Sequence, residues 1–220
     1  MKKVIYILLS VLVFSGCKKD ITDDNRKEES TYGIINLLVN DYKKGSVLPI
    51  GLSPIKSPYN DRVYSVKDSL FQYKYFYDQM SKQRIIAINK KTFSFNDYKI
   101  HSDDCDDFKN NSKLISELIA SKETEEIDLK KLFLQKKRHE FKQDSLIYYD
   151  EKFKELPRKG FDKIDVLFSF SNITFNKKYN KAIVAVGVSF GKLNGFSMLI
   201  YLEKKYFHWE IECEETLSIS

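Results

Sequence analysis

The sequence predicts an α+β fold, with N-terminal helices followed by a C-terminal antiparallel β-meander. Three observations carry this. Residues 165–220 hold four apolar, strand-like runs separated by the turn clusters Asn176–Asn180, Gly191–Gly195 and Glu203–Phe207. Upstream, Ile34, Ile35, Leu37, Leu38 and Tyr42 recur at helical spacing, as do Leu114, Ile115, Leu118 and Ile119. The 220 residues suit one domain, able to bury roughly 70% of its unfolded surface without covalent staples.

The N-terminus carries the sharpest local pattern. Lys2 and Lys3 precede an eleven-residue apolar run, Val4 to Phe14, which is too short to span a bilayer as a mature helix. A charged start, a short apolar run and small residues read as an export signal over residues 1–16. Ser15-Gly16-Cys17 resembles the lipobox of bacterial lipoproteins, with Phe14 standing where Leu is usual. The resemblance implies cleavage before Cys17, diacylglycerol on its sulfur and a further acyl chain such as palmitate on its amino group. Several chains together anchor a protein stably, whereas one binds marginally. Lys18, in place of a retaining Asp, and the acids Asp20, Asp23 and Asp24 resemble the export signal of Bacteroidota-type surface lipoproteins. The implied location is the outer membrane, on the cell surface or the periplasmic face. Removing residues 1–16 takes two lysines and no acids, so the net charge falls from +6 to +4. That mild excess gives no argument for nucleic acid.

Residues 17–30 are polar and read as a lipidated tether, and residues 31–220 as the folded domain. Ser30 or Thr31 can cap the first helix, and Lys43-Lys44-Gly45 can end it. Pro49, Pro54 and Pro58 make residues 46–61 a loop. Residues 68–89 allow a helix or a hairpin. The alternation around Phe71 to Tyr77 favours the hairpin, with Arg84 to Asn89 as its return strand. Asn111 or Ser112 caps the helix over Leu114, and Thr124 or Asp128 starts another carrying Ile127, Leu129, Leu132, Phe133 and Phe141.

Within the meander, Ala182, Val184, Val186, Val188 and Phe190 alternate with Ile183, Ala185, Gly187 and Ser189. Both sets are apolar or small, which marks a central strand covered on both faces. In the last strand Trp209, Ile211 and Cys213 alternate with His208, Glu210, Glu212 and Glu214, a half-exposed pattern. The segments Phe170–Ala182, Gly191–Gly195 and Leu199–Lys205, closed by Trp209, resemble an uncharacterised group of secreted Bacteroidota-type proteins. That group often has cysteines where Phe190 and Asn194 stand here, and the resemblance implies no activity.

Chemical motifs are few. Gly187-Val188-Ser189-Phe190-Gly191 matches the G-x-S-x-G elbow, but a strand rather than a helix follows it, and His208 is the sole later histidine. A hydrolase using Ser189 is the weakest reading. His101, Asp103, Asp104, Cys105, Asp106 and Asp107 fit neither a calcium-loop nor a zinc spacing, so neither metal nor cofactor is expected. His139-Glu140 lacks the second histidine of a zincin. With Cys17 acylated, Cys105 and Cys213 remain, either as a disulfide or as buried thiols. Lys136-Lys137-Arg138 reads as a solvated helix face. Asp68-Ser69-Leu70 and Asp144-Ser145-Leu146 resemble an O-glycosylation sequon of the same bacterial group. The overall expectation is a lipid-anchored, non-enzymatic domain that binds a protein or glycan partner. An immunity or inhibitor lipoprotein that neutralises a delivered toxin is the alternative.

Overall fold

In a computed structural model, the described residues are 22–43, 74, 83–96, 105–133, 144–149, 164–191 and 194–219. They form helices α1 (Asp23–Tyr42), α2 (Asp106–Asn110) and α3 (Ser112–Ala120). The strands are β1 (Ile85–Asn89), β2 (Ser145–Tyr149), β3 (Val166–Phe170), β4 (Thr174–Phe175), β5 (Lys181–Gly191), β6 (Asn194–Lys205) and β7 (His208–Ile219). One sheet takes all seven in the order β2-β1-β3-β5-β6-β7, with β4 on the same side of β5 as β3. β1 is parallel to both its neighbours, and every pairing from β3 onward is antiparallel. The α+β class and the C-terminal meander hold.

β5 is central and covered on both faces. One face presents Ala182, Val184, Val186 and Val188, with Phe168, Phe170, Ile200 and Leu202 beside them, to Ile34, Ile35, Leu38 and Val39 of α1. The other presents Ile183 and Ala185, with Leu199 and Tyr201, to Phe108, Leu114, Ile115 and Leu118 of α2 and α3. Each fully buried aliphatic side chain contributes about 1.5–3 kcal/mol, so these two layers dominate the stability.

α1 begins earlier than its sequence suggests. The Thr22 hydroxyl accepts from the Asn25 N–H at 3.4 Å, and Asp23 and Asp24 occupy the positive end of the helix dipole. Residues 23–30, read from the sequence as part of the tether, therefore belong to the helix. Gly33 sits mid-helix because the Trp209 ring packs on it; Cδ1 lies 3.2 Å from where a Cβ would stand.

Two further expectations fail for topological reasons. β1 cannot be the return strand of a hairpin with residues 71–77, because β2 and β3 occupy both its edges. Lys74 is itself helical. No α-helix starts at Thr124 or Asp128: residues 121–128 are irregular, with Glu126 bridged to Lys91, and among the described residues a 3₁₀ turn follows at Leu129–Lys131, while Phe141 lies outside them. The Asp128 carboxylate caps that turn through the Lys130 N–H at 2.9 Å.

Bulges interrupt the β3–β4 strand, β5 at Phe190, and β7 at Glu212 and Leu217. Phe170 pairs with Val186 and Thr174 with Ile183, so β3 and β4 are one strand with an extra residue between them. At the break the Ser171 hydroxyl replaces a carbonyl, accepting from the Ala185 N–H at 2.8 Å. In β7, Ile211 opposes Leu202 while Cys213 opposes Tyr201, which makes Glu212 the extra residue. The bulge reverses the side-chain parity. Cys213 consequently leaves the face of Trp209 and Ile211, where simple alternation placed it, and joins Tyr201 on the α2–α3 face.

Candidate functional site

The N-terminal half of α1 lies over the β3–β4 bulge and leaves a cleft of about 250 Å³ lined by Asp24, Lys27, Thr31, Tyr32, Thr92 and Glu125. Lys27, Glu125 and Ile173 continue into a more open groove of about 740 Å³ that reaches Asp23, Lys177 and Tyr179. The floor is a buried polar network. Thr92 donates to the Asn172 side-chain oxygen, and the Asn172 amide donates to Ser121 Oγ at 2.7 Å and to the Glu123 carbonyl. The Glu125 N–H donates back to Thr92 Oγ1 at 2.8 Å. These bonds hold the irregular segment 121–127 against the sheet, which is what shapes the groove.

The groove's charged groups are largely occupied. Lys27 meets Glu125 at 2.7 Å, Lys90 meets Glu126 at 3.0 Å, Lys113 meets Glu117 at 3.8 Å, and Lys131 pairs with Glu28. The Tyr32 hydroxyl accepts from the Asp128 N–H at 2.8 Å. Exposed pairs of this kind contribute about 0–1 kcal/mol each, so they shape the rim more than they stabilise the fold. Among the described residues the groove brings no histidine or cysteine beside a hydroxyl; its surface is polar and ion-paired.

The sequence-predicted residues scatter. Cys17, Ser69, His101, Asp103, Asp104, Lys136–Arg138 and His139 lie outside the described residues. Cys105, which precedes the first turn of α2, is joined to Cys213 by a disulfide with Cα atoms 6.3 Å apart. Asp106 and Asp107 form the first turn of α2, and no group of three or more ligating side chains occurs among the described residues. Ser145 opens β2 with its hydroxyl 2.6 Å from Gln83 Nε2, and the neighbouring Asp144 is buried in an ion cluster.

The elbow motif is a packing device. Gly187 opposes Ser169 across the β3–β5 pair, and a Cβ there would stand 2.6 Å from Ser169 Oγ. Ser189 pairs with Gly195 and His208 with Lys205, ten residues further along β6 or about 33 Å at an antiparallel rise. No hydrogen bond can join groups so placed, and the Ser189 hydrolase reading falls.

The shifted titratable groups lie within the sheet and its cover. Burial pushes the Tyr42 hydroxyl up, and the Glu214 carboxylate that accepts its proton adds to the effect. Tyr201 is pushed up to about 12, first by burial and then by its hydrogen bond to Glu203. Glu203, accepting from Tyr201 and from Lys181 at 2.9 Å, is held below the ordinary carboxylate range. An unfolded chain loses its tyrosine protons at the ordinary 10.0, before the folded one does. Stability is then fully present below 10.0 and lost as pH rises towards about 12. Tyr201→Phe is expected to flatten that alkaline limb without abolishing it, because Tyr42 contributes in the same direction; urea midpoints across the window measure this.

One feature carried no sequence signal, the buried cluster of Lys43, Arg84 and Asp144, drawn from three distant segments. The turn cluster expected at Glu203–Phe207 narrows to the β6–β7 tip, where Tyr206 and Phe207 are 96% and 86% exposed. Among the described residues no helix is long and apolar enough to cross a membrane. Compared with protein-family models, curated proteins and solved structures, the chain matches none.

Proposed function

We propose that the chain is a lipid-anchored cell-envelope protein whose domain works by binding a protein or glycan partner. The observation that favours the binding half is that Ser189 and His208, the pair a hydrolase reading required, lie far apart along β6. The ion-paired groove beside α1 supports the same reading, since its polar groups are matched to each other. The anchor half rests on Lys2-Lys3, the apolar run to Phe14 and Ser15-Gly16-Cys17. Asp23 and Asp24, which resemble a sorting signal, also have a structural role in the first turn of α1.

Metabolic labelling in an expressing bacterium tests the anchor. Radiolabelled palmitate is expected in the wild-type chain and in the membrane fraction, with both lost in Cys17→Ser. Label that persists in Cys17→Ser, or never enters the wild type, overturns the reading.

A further inference from the structure

We infer that the end of the sheet carrying the β6–β7 turn docks on the lipid surface, with the Tyr206 and Phe207 rings entering the bilayer interface. This rests on the Cys17 anchor proposed above. Four observations on the domain itself point there.

The first is the turn. Lys205 pairs with His208, so Tyr206 and Phe207 form a two-residue hairpin loop. Tyr206 has a φ of 57°, a left-handed conformation that Gly or Asn adopts at far lower cost. A bulky aromatic held there, almost wholly solvent-facing, has no packing reason in the domain.

The second is the setting of the rings. Lys204 lies over the Trp209 ring at 5.9 Å, and the Lys204 N–H donates to the Asn180 carbonyl at 2.8 Å. This ties the tip to the β4–β5 turn, where Lys177 and Lys178 are exposed. Aromatic rings flanked by lysines match the headgroup layer, where the ring bodies meet the acyl boundary and the ammonium groups meet phosphate. Lys205 is held by Glu210 and Glu212, and Asp23 and Asp24 add negative charge at this end, so the rings and not net charge drive the contact.

The third is where α1 begins. Asp23 shares the open groove with Lys177 and Tyr179, and Gly33 packs on Trp209. The helix therefore starts at the end of the sheet where the aromatic tip projects. The fourth is the length of chain before it. From Cys17 to Asp23 is six residues, spanning at most about 20 Å when fully extended. An anchor that short holds this end, and not the opposite one, against the bilayer.

The test uses the full chain purified in its acylated state, in the Trp209→Phe background so that one tryptophan reports. Phe207→Trp places the reporter at the tip. Ile219→Trp places it at the far end of β7, roughly 35 Å away, where Ile219 is 83% exposed. Both are reconstituted into vesicles of phosphatidylethanolamine with a minor fraction of phosphatidylglycerol and brominated acyl chains. Emission at position 207 is expected to fall about twofold or more, as for a ring sunk to the acyl boundary, with emission at 219 unchanged. Intact mass reads acylation of Cys17 separately. Acylated protein with an unquenched tip, or with equal quenching at both positions, overturns the docking and leaves the anchor standing. A chain that carries no acyl group overturns both.

Discussion

Replacing Asp144 by alanine lowers the folding free energy by about 3–5 kcal/mol, the usual cost of removing one member of a buried ion pair. The Asp144 carboxylate receives Arg84 Nε at 2.8 Å, Arg84 Nη2 at 2.7 Å and Lys43 Nζ at 3.2 Å, with Lys43 and Asp144 side chains each 1% exposed. It also accepts from the Arg84 backbone N–H at 3.2 Å. One carboxylate thus fastens the end of α1, the start of β1 and the start of β2. Losing it leaves two cations in a dry site with their shared partner gone. A fall in the urea midpoint with an unchanged slope measures the effect. Glu125→Ala, which breaks the exposed pair with Lys27, is expected to cost under about 1 kcal/mol by the same assay.

Removing the Cys105–Cys213 disulfide by the double substitution Cys105→Ala/Cys213→Ala is expected to cost about 2–4 kcal/mol. The bridged residues are 108 apart, so the cross-link closes a long loop and restricts the unfolded chain strongly. For a domain of this size the melting temperature falls by roughly 4–16 °C, and calorimetry checks it. The bridge also pins α2 to β7, an edge strand that α2 touches on the Tyr201 face. Reductant is expected to lower the wild-type melting temperature towards that of the double variant.

The sequence was most legible where structure depends on neighbours in the chain. Alternation from Ala182 to Phe190 identified β5 as central because its two faces are both apolar, and the turns after it kept its partners local. Legibility failed where distant contacts decide. The helix pattern at Ile34 hid the true start at Asp23, since the acidic residues 23, 24, 28 and 29 read as solvated linker until Lys131 and the dipole are placed beside them. β1 looked like half of a hairpin because nothing in residues 84–89 reveals that both edges are taken by strands 60 and 80 residues later. The Glu212 bulge is one inserted residue with no composition of its own, yet it moves Cys213 to the other face of the sheet and so to Cys105. The groove was invisible for the same reason: it is assembled from α1, Thr92, residues 121–127 and the bulge at Ser171, four segments that share no motif.

The surface that receives α1 is made largely by β5 and β6, with Trp209 of β7 lying on Gly33. On the ribosome, the first described element is therefore complete long before the hairpins that cover it have emerged. Ile34, Ile35, Leu38 and Val39 stay uncovered until β5 and β6 have emerged, and collapse waits for those strands. Truncations from the C-terminus should behave as sticky, unfolded fragments until nearly the last strand is restored, with no stable half-molecule along the way.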